Sequence, residues 1–426
     1  MRSNSSPTFV HSAKLCAFVV VFFYATYGLA NWLSAWRVPL TEITFAWEAY
    51  IPFIEISIVP YWSLNVLYVL AIFLCRNHDE QRHLVRQLLA TQCVAILCFV
   101  LFPLQMSWQK PPTSGISGSL FATVALFDAP YNQAPSLHIM LAMVVGAFYW
   151  RRFQAAWARK LTVIWFSLIG ISVLTTWQHH FIDVPTGIFV ASWIMWWLPE
   201  NAQAPQWHRP NPFSHTRYAA LYLFGAMILL ILANLLSWWL LWGVVSCLIM
   251  ALIYGVFGAN AFQKQANGKH TLAMRILLLP YHIIGSEIAK WWTRQHPRHF
   301  ITPKIELGSL FAAPPCPAVL DLSAEYPYPH TVAHYVNIPW LDLVAPSVAD
   351  LRQAAQTLNS LHNQYRSVYV CCALGYERST AVVVLWLAKY GGMESVAAAY
   401  QHVVRQRPQA RLSAETLRHL EWAYAE

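Results

Sequence analysis

Residues 368–379 read Val-Tyr-Val-Cys-Cys-Ala-Leu-Gly-Tyr-Glu-Arg-Ser. A short apolar run ends at Cys372, five residues follow, and Arg378 leads into a helix-like run that begins Ser379-Thr380-Ala381. This spacing predicts a strand, a tight loop and a helix. Such a loop can turn its backbone N–H groups inward as an anion nest, and the helix N-terminus adds partial positive charge. A cysteine at the base of the nest is set to be a thiolate, the nucleophilic form of sulfur. Arg378 can reach back and grip phosphate oxygens with two parallel hydrogen bonds. Gly375 allows the close backbone turn, and Ser379 can hydrogen-bond the thiolate as it leaves. A bare Cys-x5-Arg recurs by chance; its place between strand and helix, with Gly and Ser where they stand, carries the reading.

Working outward, the chain from about 296 onward has the pattern of a soluble α/β domain. Ala318–Leu322, Val336–Ile338 and Ser367–Val370 are strand-like. Asp350–Leu361, Ser379–Tyr390, Met393–Arg405 and Ser413–Ala425 are helix-like. Tyr335–Val344 is a strand running into a loop that holds Asp342, a carboxyl able to protonate a leaving oxygen. With Ile305-Glu306-Leu307-Gly308, Asp321-Leu322-Ser323 and Arg407-Pro408, this part resembles the dual-specificity branch of the cysteine phosphatases. The resemblance implies Cys372 as the nucleophile forming a phosphocysteine and Arg378 as the phosphate ligand. It implies Asp342 as general acid and then general base, and Ser379 as the aid to thiolate departure. Two positions depart from the pattern. The residue before the nucleophile, usually His, is Cys371, which opens the idea of a vicinal Cys371–Cys372 disulfide. Glu377 sits inside the loop, where its charge would oppose a highly anionic substrate.

The remainder of the chain is of another kind. Of 426 residues, 57% are hydrophobic and 11% charged, against about 25% charged in a soluble chain. The net charge of +9 could suggest nucleic acid, but its placement argues against that. Residues 1–290 hold 17 Lys/Arg and 9 Asp/Glu, whereas residues 291–426 hold 11 and 10. Eight apolar runs are candidate spans, at 15–34, 58–75, 88–106, 136–150, 161–178, 182–198, 218–236 and 238–257. With a cytoplasmic N-terminus, one side holds Arg2, Lys14, Arg76, Arg82, Arg86, Arg151, Arg152, Arg159, Lys160, Arg209 and Arg217. The other side holds only Arg37 and Lys110, beside Glu42, Glu48 and Glu55. Residues 258–295 alternate basic residues with apolar clusters, as an amphipathic segment on an anionic membrane face would. The eight cysteines include no Cys-x-x-Cys pair, so neither a zinc site nor a disulfide framework is expected.

Ionisable residues at the rims of spans are costly and tend to be functional. Pro135-Ser136-Leu137-His138 and His179-His180-Phe181-Ile182-Asp183 fall on the same external face in this topology. The four-residue spacing lets Asp183 fix the tautomer of His179, leaving its other ring nitrogen free to attack phosphorus. His138 can protonate the leaving oxygen. These segments, with Ser172, resemble the second and third motifs of the type 2 phosphatidic acid phosphatase superfamily, over about 60–200. The resemblance implies His179 as nucleophile, Asp183 as its partner, His138 as general acid and Ser136 as a phosphate contact. Cations are depleted here: Val173 stands where that family has Arg, Pro103 where it has Lys, and Lys110 remains as an anchor. Similar losses occur in the branch of that superfamily that transfers lipid headgroups.

The expected fold is a polytopic α-helical membrane domain of about six to eight spans (1–257), a basic amphipathic linker (258–295) and a soluble α/β cysteine-phosphatase-like domain (296–426). The expected protein is a bacterial inner-membrane phosphatase with both termini cytoplasmic, acting on phosphomonoesters of lipids or phosphoproteins. Expected partners are membrane lipids and phospholipid, prenyl phosphate or phosphoprotein substrates, not nucleic acid. Neither chemistry calls for a metal or other cofactor. The alternatives are a headgroup transferase and an anchored phosphate-binding scaffold.

Overall fold

The computed structural model describes residues 5–207, 212–312 and 316–425. Arg2 and Arg209 of the charge tally lie outside the described residues. The chain forms two compact units, Met1–Glu200 and Asn201–Glu426. Hydropathy ends the membrane domain at 257, whereas packing groups the last two apolar helices with the C-terminal unit.

The first unit is helical: α1 (Phe9–Ala35), α2 (Ile58–Phe73), α3 (His78–Leu101), α4 (Gly115–Ala125), α5 (Leu137–Arg152), α6 (Ala156–Thr175) and α7 (Asp183–Trp197). Polar caps set the starts: Thr8 accepts from His11 N, and Asn77 accepts from Glu80 N at 2.8 Å. Helices α1, α3 and α6, and α2 with the turn before it, are long and apolar enough to cross a bilayer. Helices α5 and α7 have only 16 and 15 residues. They are interior helices: Met140, Val144, Val145 and Trp196 are fully buried. This explains the two shortest candidate spans, because neighbouring helices cover them. Helix α4 has no counterpart among the expected spans; its 11 residues are rich in Gly, Ser and Thr, which blurs the apolar signal.

Helix α5 carries His138 at one end and Arg152 at the other, and so separates two chemistries. At its C-terminal end Arg76 donates to Arg152 O (3.3 Å), and Arg151 pairs with Glu200. At its N-terminal end Ser136 N donates to Asp183 O (3.1 Å), joining the two motifs. Gly187 permits the approach, since a Cβ there would fall 2.9 Å from Ser136 O.

The second unit opens with α8 (Pro212–Leu235) and α9 (Leu240–Leu252), which continues as a π-helical turn over Ile253–Phe257. Both are apolar and of spanning length over His215–Leu235 and Leu240–Phe257, giving six such helices among the described residues. Helices α10 (Leu272–Leu277) and α11 (Leu279–Thr293) follow. Then come strands β1 (Arg298–Phe300), β2 (Ile305–Ser309), β3 (Ala318–Ser323), β4 (His334–Trp340) and β5 (Val368–Cys372). Helix α12 (Val348–Gln364) precedes β5, and α13 (Arg378–Lys389), α14 (Val396–Gln406) and α15 (Ala414–Ala425) close the chain. The sheet order is β1-β2-β5-β3-β4, parallel except for β1. Strands β3 and β5 are buried along their whole length, which is why they are mostly apolar, with Asp321 and Ser323 the polar exceptions in β3. Ile305, Leu320, Val370, Leu358 and Val383 share one core cluster.

The segment 258–295 is built into this unit. Lys264 Nζ pairs with Asp321 Oδ2 at 2.5 Å and donates to Ser323 O at 2.9 Å, with both charged side chains fully buried. Tyr335 donates to the same carboxylate at 2.7 Å. His270 Nε2 bonds Ala324 O at 2.9 Å.

Candidate active sites

Strand β5 ends at Cys372 in the middle of the sheet, and α13 begins at Arg378, so the loop between them lies at the C-terminal ends of parallel strands. That is where α/β sheets present ligand sites. Cys372 Sγ lies 3.4 Å from Ser379 Oγ, with both residues buried. Gly375 has φ +72°, and a Cβ there would fall 2.3 Å from the carbonyl carbon of Gly308, so the turn admits only glycine. Among the described residues none accepts a hydrogen bond from backbone N–H of Leu374, Gly375, Tyr376 or Glu377. The turn therefore carries a row of donors not spent on the protein, which is what an anion nest requires.

The loop is held from outside. Arg407, fully buried, donates to Gly375 O (2.8 Å) and Leu374 O (3.1 Å). Ser309 Oγ donates to Ala373 O at 2.7 Å. Arg378 is fixed by a residue that sequence reasoning missed. Its Nη1 and Nη2 donate to the two oxygens of Glu325, at 2.8 and 2.5 Å, and Nη1 also donates to Trp340 O. Asp342 Oδ1 lies 2.9 Å from Arg378 Nη2, with its side chain 41% exposed. Burial alone would raise the Glu325 carboxyl, but the charge and two hydrogen bonds of Arg378 override it and hold it low. For Asp342 burial prevails, aided by the Glu325 charge against the pull of Arg378, and its carboxyl is raised. Cys372, Arg378, Ser379, Asp342 and Gly375 thus come together at one loop.

Both departures in the loop have physical explanations. The Glu377 carboxylate is turned toward the start of α15, accepting from Ser413 N and Thr416 Oγ1, each at 3.1 Å. It therefore caps a helix N-terminus, where negative charge is favoured. Cys371 and Cys372 are free thiols on opposite faces of β5, in separate core clusters. Burial, with the Asp321 charge next, pushes the Cys371 thiol well up, so it stays protonated. The vicinal disulfide does not form in this geometry.

In the first unit His179 Nδ1 lies 3.1 Å from Asp183 Oδ2, which also accepts from His180 N at 3.0 Å. Nδ1–H donates, leaving Nε2 as the free ring nitrogen. His179 and His138 line one cavity of about 200 Å³. The His138 ring lies flat on Tyr61, with centroids 3.9 Å apart. Ser136 is occupied elsewhere, since its hydroxyl accepts from Ile139 N and caps α5, and it does not line the cavity. Lys110 does not line it either; its ammonium donates to Gln178 Oε1 at 2.6 Å. Neighbouring His180 is fully engaged. Its Nε2 accepts from Ser107 N (3.2 Å), and Nδ1 faces Glu48 Oε2 (3.2 Å). The cavity also holds Asp128, whose carboxylate accepts from Tyr27 Oη at 2.5 Å. The signal for Asp128 was present in the sequence, where it is the only carboxylate residue between Glu80 and Asp183.

Residues 52–197 match the family model of the PAP2 superfamily, and residues 314–424 match that of the dual specificity phosphatase catalytic domain. The chain is thus similar to the one family and then to the other, in that order. Solved structures similar to part of it include human DUSP28, with 23% identity over 30% of this chain and 93% of that one (TM-score 0.29). Another is Tk-PTP in its active form, at 23% over 31% and 98% (TM-score 0.28). A third is PTPMT1 in complex with PI(5)P, at 18% over 30% and 95% (TM-score 0.27). No curated protein matches the chain. Both family models are of phosphatase type, and the chain is a phosphoric monoester hydrolase with six helices of membrane-spanning character.

Proposed function

We propose that this protein is a bacterial inner-membrane phosphatase, with both termini cytoplasmic and two centres using different nucleophiles. In the C-terminal centre the Cys372 thiolate attacks phosphorus as the bond to the leaving oxygen breaks, and Asp342 gives its proton to that oxygen. Arg378 and the free N–H groups of the loop hold the non-bridging oxygens, where charge is greatest in the transition state. Water then attacks the phosphocysteine, Asp342 takes its proton, and the S–P bond breaks with Ser379 hydrogen-bonded to the departing thiolate. The observation that carries this reading is Asp342 standing 2.9 Å from a guanidinium already aligned by Glu325, beside Cys372. Substrates are phosphomonoesters of lipids or phosphoproteins.

The raised Asp342 carboxyl makes a pH prediction. The acid form persists above the ordinary carboxylate range and is lost as pH rises through that raised value, so the rate falls on the alkaline side. Asp342→Asn, measured on full-length protein with His179→Ala, should lower kcat by about 10²-fold and abolish that alkaline fall. A variant with the parent's rate and profile would remove Asp342 from the mechanism.

In the membrane centre His179 Nε2 is the proposed nucleophile, Asp183 holds its Nδ1–H, and His138 protonates the leaving group. Phosphomonoester hydrolysis is the first reading here also. A second has one observation behind it: the residues lining the cavity include a carboxylate, Asp128, and neither Lys nor Arg. A cation-poor cavity suits a singly charged phosphodiester better than a dianionic monoester, as headgroup transfer would require. Release of headgroup into water without an acceptor alcohol would decide against transfer.

A further inference from the structure

The C-terminal centre is not built from the soluble fold alone. Tyr254, in the π-helical turn that ends the last apolar helix, donates its hydroxyl to Asp342 O at 3.1 Å. Tyr222 of α8 packs on Tyr254 (5.5 Å between centroids) and on Tyr281 of α11 (6.4 Å). Tyr281 stacks on Tyr326 at 5.6 Å, next in sequence to Glu325. His282 Nε2 bonds Glu325 O at 3.1 Å; burial pushes that imidazole down to about 4, so it donates as a neutral group. The backbone of the proposed acid and of the residue aligning Arg378 is therefore held by the apolar hairpin and by α11.

Helix α11 divides into two faces. Tyr281, His282 and Ala289 pack inward. Ile283, Ile284, Ile288, Trp291 and Trp292 are left 48–62% exposed, a stripe too large for a solvent-facing helix. Lys290 and Arg294 flank it, with the Arg294 guanidinium 4.7 Å over the Trp291 ring. Apolar residues, tryptophans and bordering cations are the composition of a helix lying in a bilayer interface. Continuity fixes the occupant: Trp242 and Ser246 of α9 donate to Ile276 O (2.8 Å) and Leu277 O (2.6 Å) at the end of α10, which leads directly into α11, and so tie it to a helix of spanning character. Beside the site, Leu343 is held at φ +60° with its side chain 58% exposed, a strained position for an outward leucine.

We propose that the Cys372 centre draws its substrate from the bilayer: α11 lies in the leaflet surface by that stripe, and the substrate is a phosphomonoester lipid whose acyl chains stay in the leaflet. The inference rests on the phosphocysteine reading. The test uses full-length His179→Ala protein in phospholipid vesicles and four probes: a long-chain diacylglycerol phosphate, its short-chain soluble analogue, an aryl phosphate and a phosphotyrosine peptide. The long-chain lipid should exceed the short-chain one in kcat/KM by about tenfold or more, since acyl burial concentrates it at the interface. Trp291→Glu with Trp292→Glu should lower long-chain hydrolysis by about tenfold while leaving the aryl phosphate within about twofold, and Phe at both positions should restore it. Equal rates on the two lipids, a preference for the peptide, or an equal loss on all probes would overturn the proposal. Aryl phosphate hydrolysis separates the two levels. If the parent protein lacks it, the phosphocysteine reading fails and takes this inference with it; if it is present without lipid hydrolysis, only this inference fails.

Discussion

Cys372→Ser, made in full-length protein that also carries His179→Ala, should reduce aryl phosphate hydrolysis by a factor on the order of 10⁴ or more, because the nucleophile acts as a unit with the groups around it. The substitution is nearly isosteric. It leaves Arg378 on Glu325, the loop on Arg407 and Ser309, and the free N–H row of the turn. Substrate affinity should therefore survive the loss of turnover, within about threefold in Kd, since the phosphate ligands are untouched. That split, lost kcat with retained binding, is what separates a missing nucleophile from a collapsed loop. Undiminished turnover in the serine variant would remove Cys372 from the chemistry.

The second large effect belongs to the membrane centre. In a Cys372→Ser background, His179→Ala should lower lipid phosphate hydrolysis by about 10³-fold or more. Asp183→Asn should cost less, because it keeps a hydrogen-bond partner for Nδ1 while removing the charge that supports the imidazolium. His180→Ala is the informative control. Its ring is spent on Glu48 and Ser107, so its loss should appear in thermal stability and not selectively in kcat. If His180 rather than His179 proved essential for turnover in a well-folded variant, the nucleophile would be misassigned.

Legibility of the fold and sites followed sequence distance. The strand–loop–helix around Cys372, Gly375, Arg378 and Ser379 lies within a few residues, so its chemistry stands in the spacing itself. The same holds for His179 and Asp183, one helical turn apart. The parts that stayed hidden are joined only by the tertiary fold. Glu325 meets Arg378 across 53 positions, and Arg407 meets Gly375 across 32. Nothing near Glu325 in the sequence marks it as a partner for a guanidinium. Glu377 was half legible for a related reason: its position in the loop was plain, but its direction is set by Ser413 and Thr416. Strands β1 and β2 escaped notice because one has three residues and the other is broken by Glu306 and Gly308. Six of the eight apolar runs are helices of spanning length, legible because hydrophobicity is a property of composition and needs no knowledge of contacts.

The buried pair of Lys264 and Asp321 bears on how this protein is made. A truncated chain starting at residue 296 loses Lys264 and leaves the buried Asp321 carboxylate without its countercharge, held only by Tyr335 Oη and by Ser323 N and Oγ. Breaking such a pair costs about 3–5 kcal/mol, against a total folding stability of about 5–15 kcal/mol. A piece cut free of Lys264 is therefore expected to be less stable than the full chain, as a lower midpoint of thermal unfolding would report. The ribosome delivers Lys264 before the sheet, so the countercharge is already present when Asp321 is made. Cutting the chain between Lys264 and the sheet would then release the C-terminal centre in a weakened form.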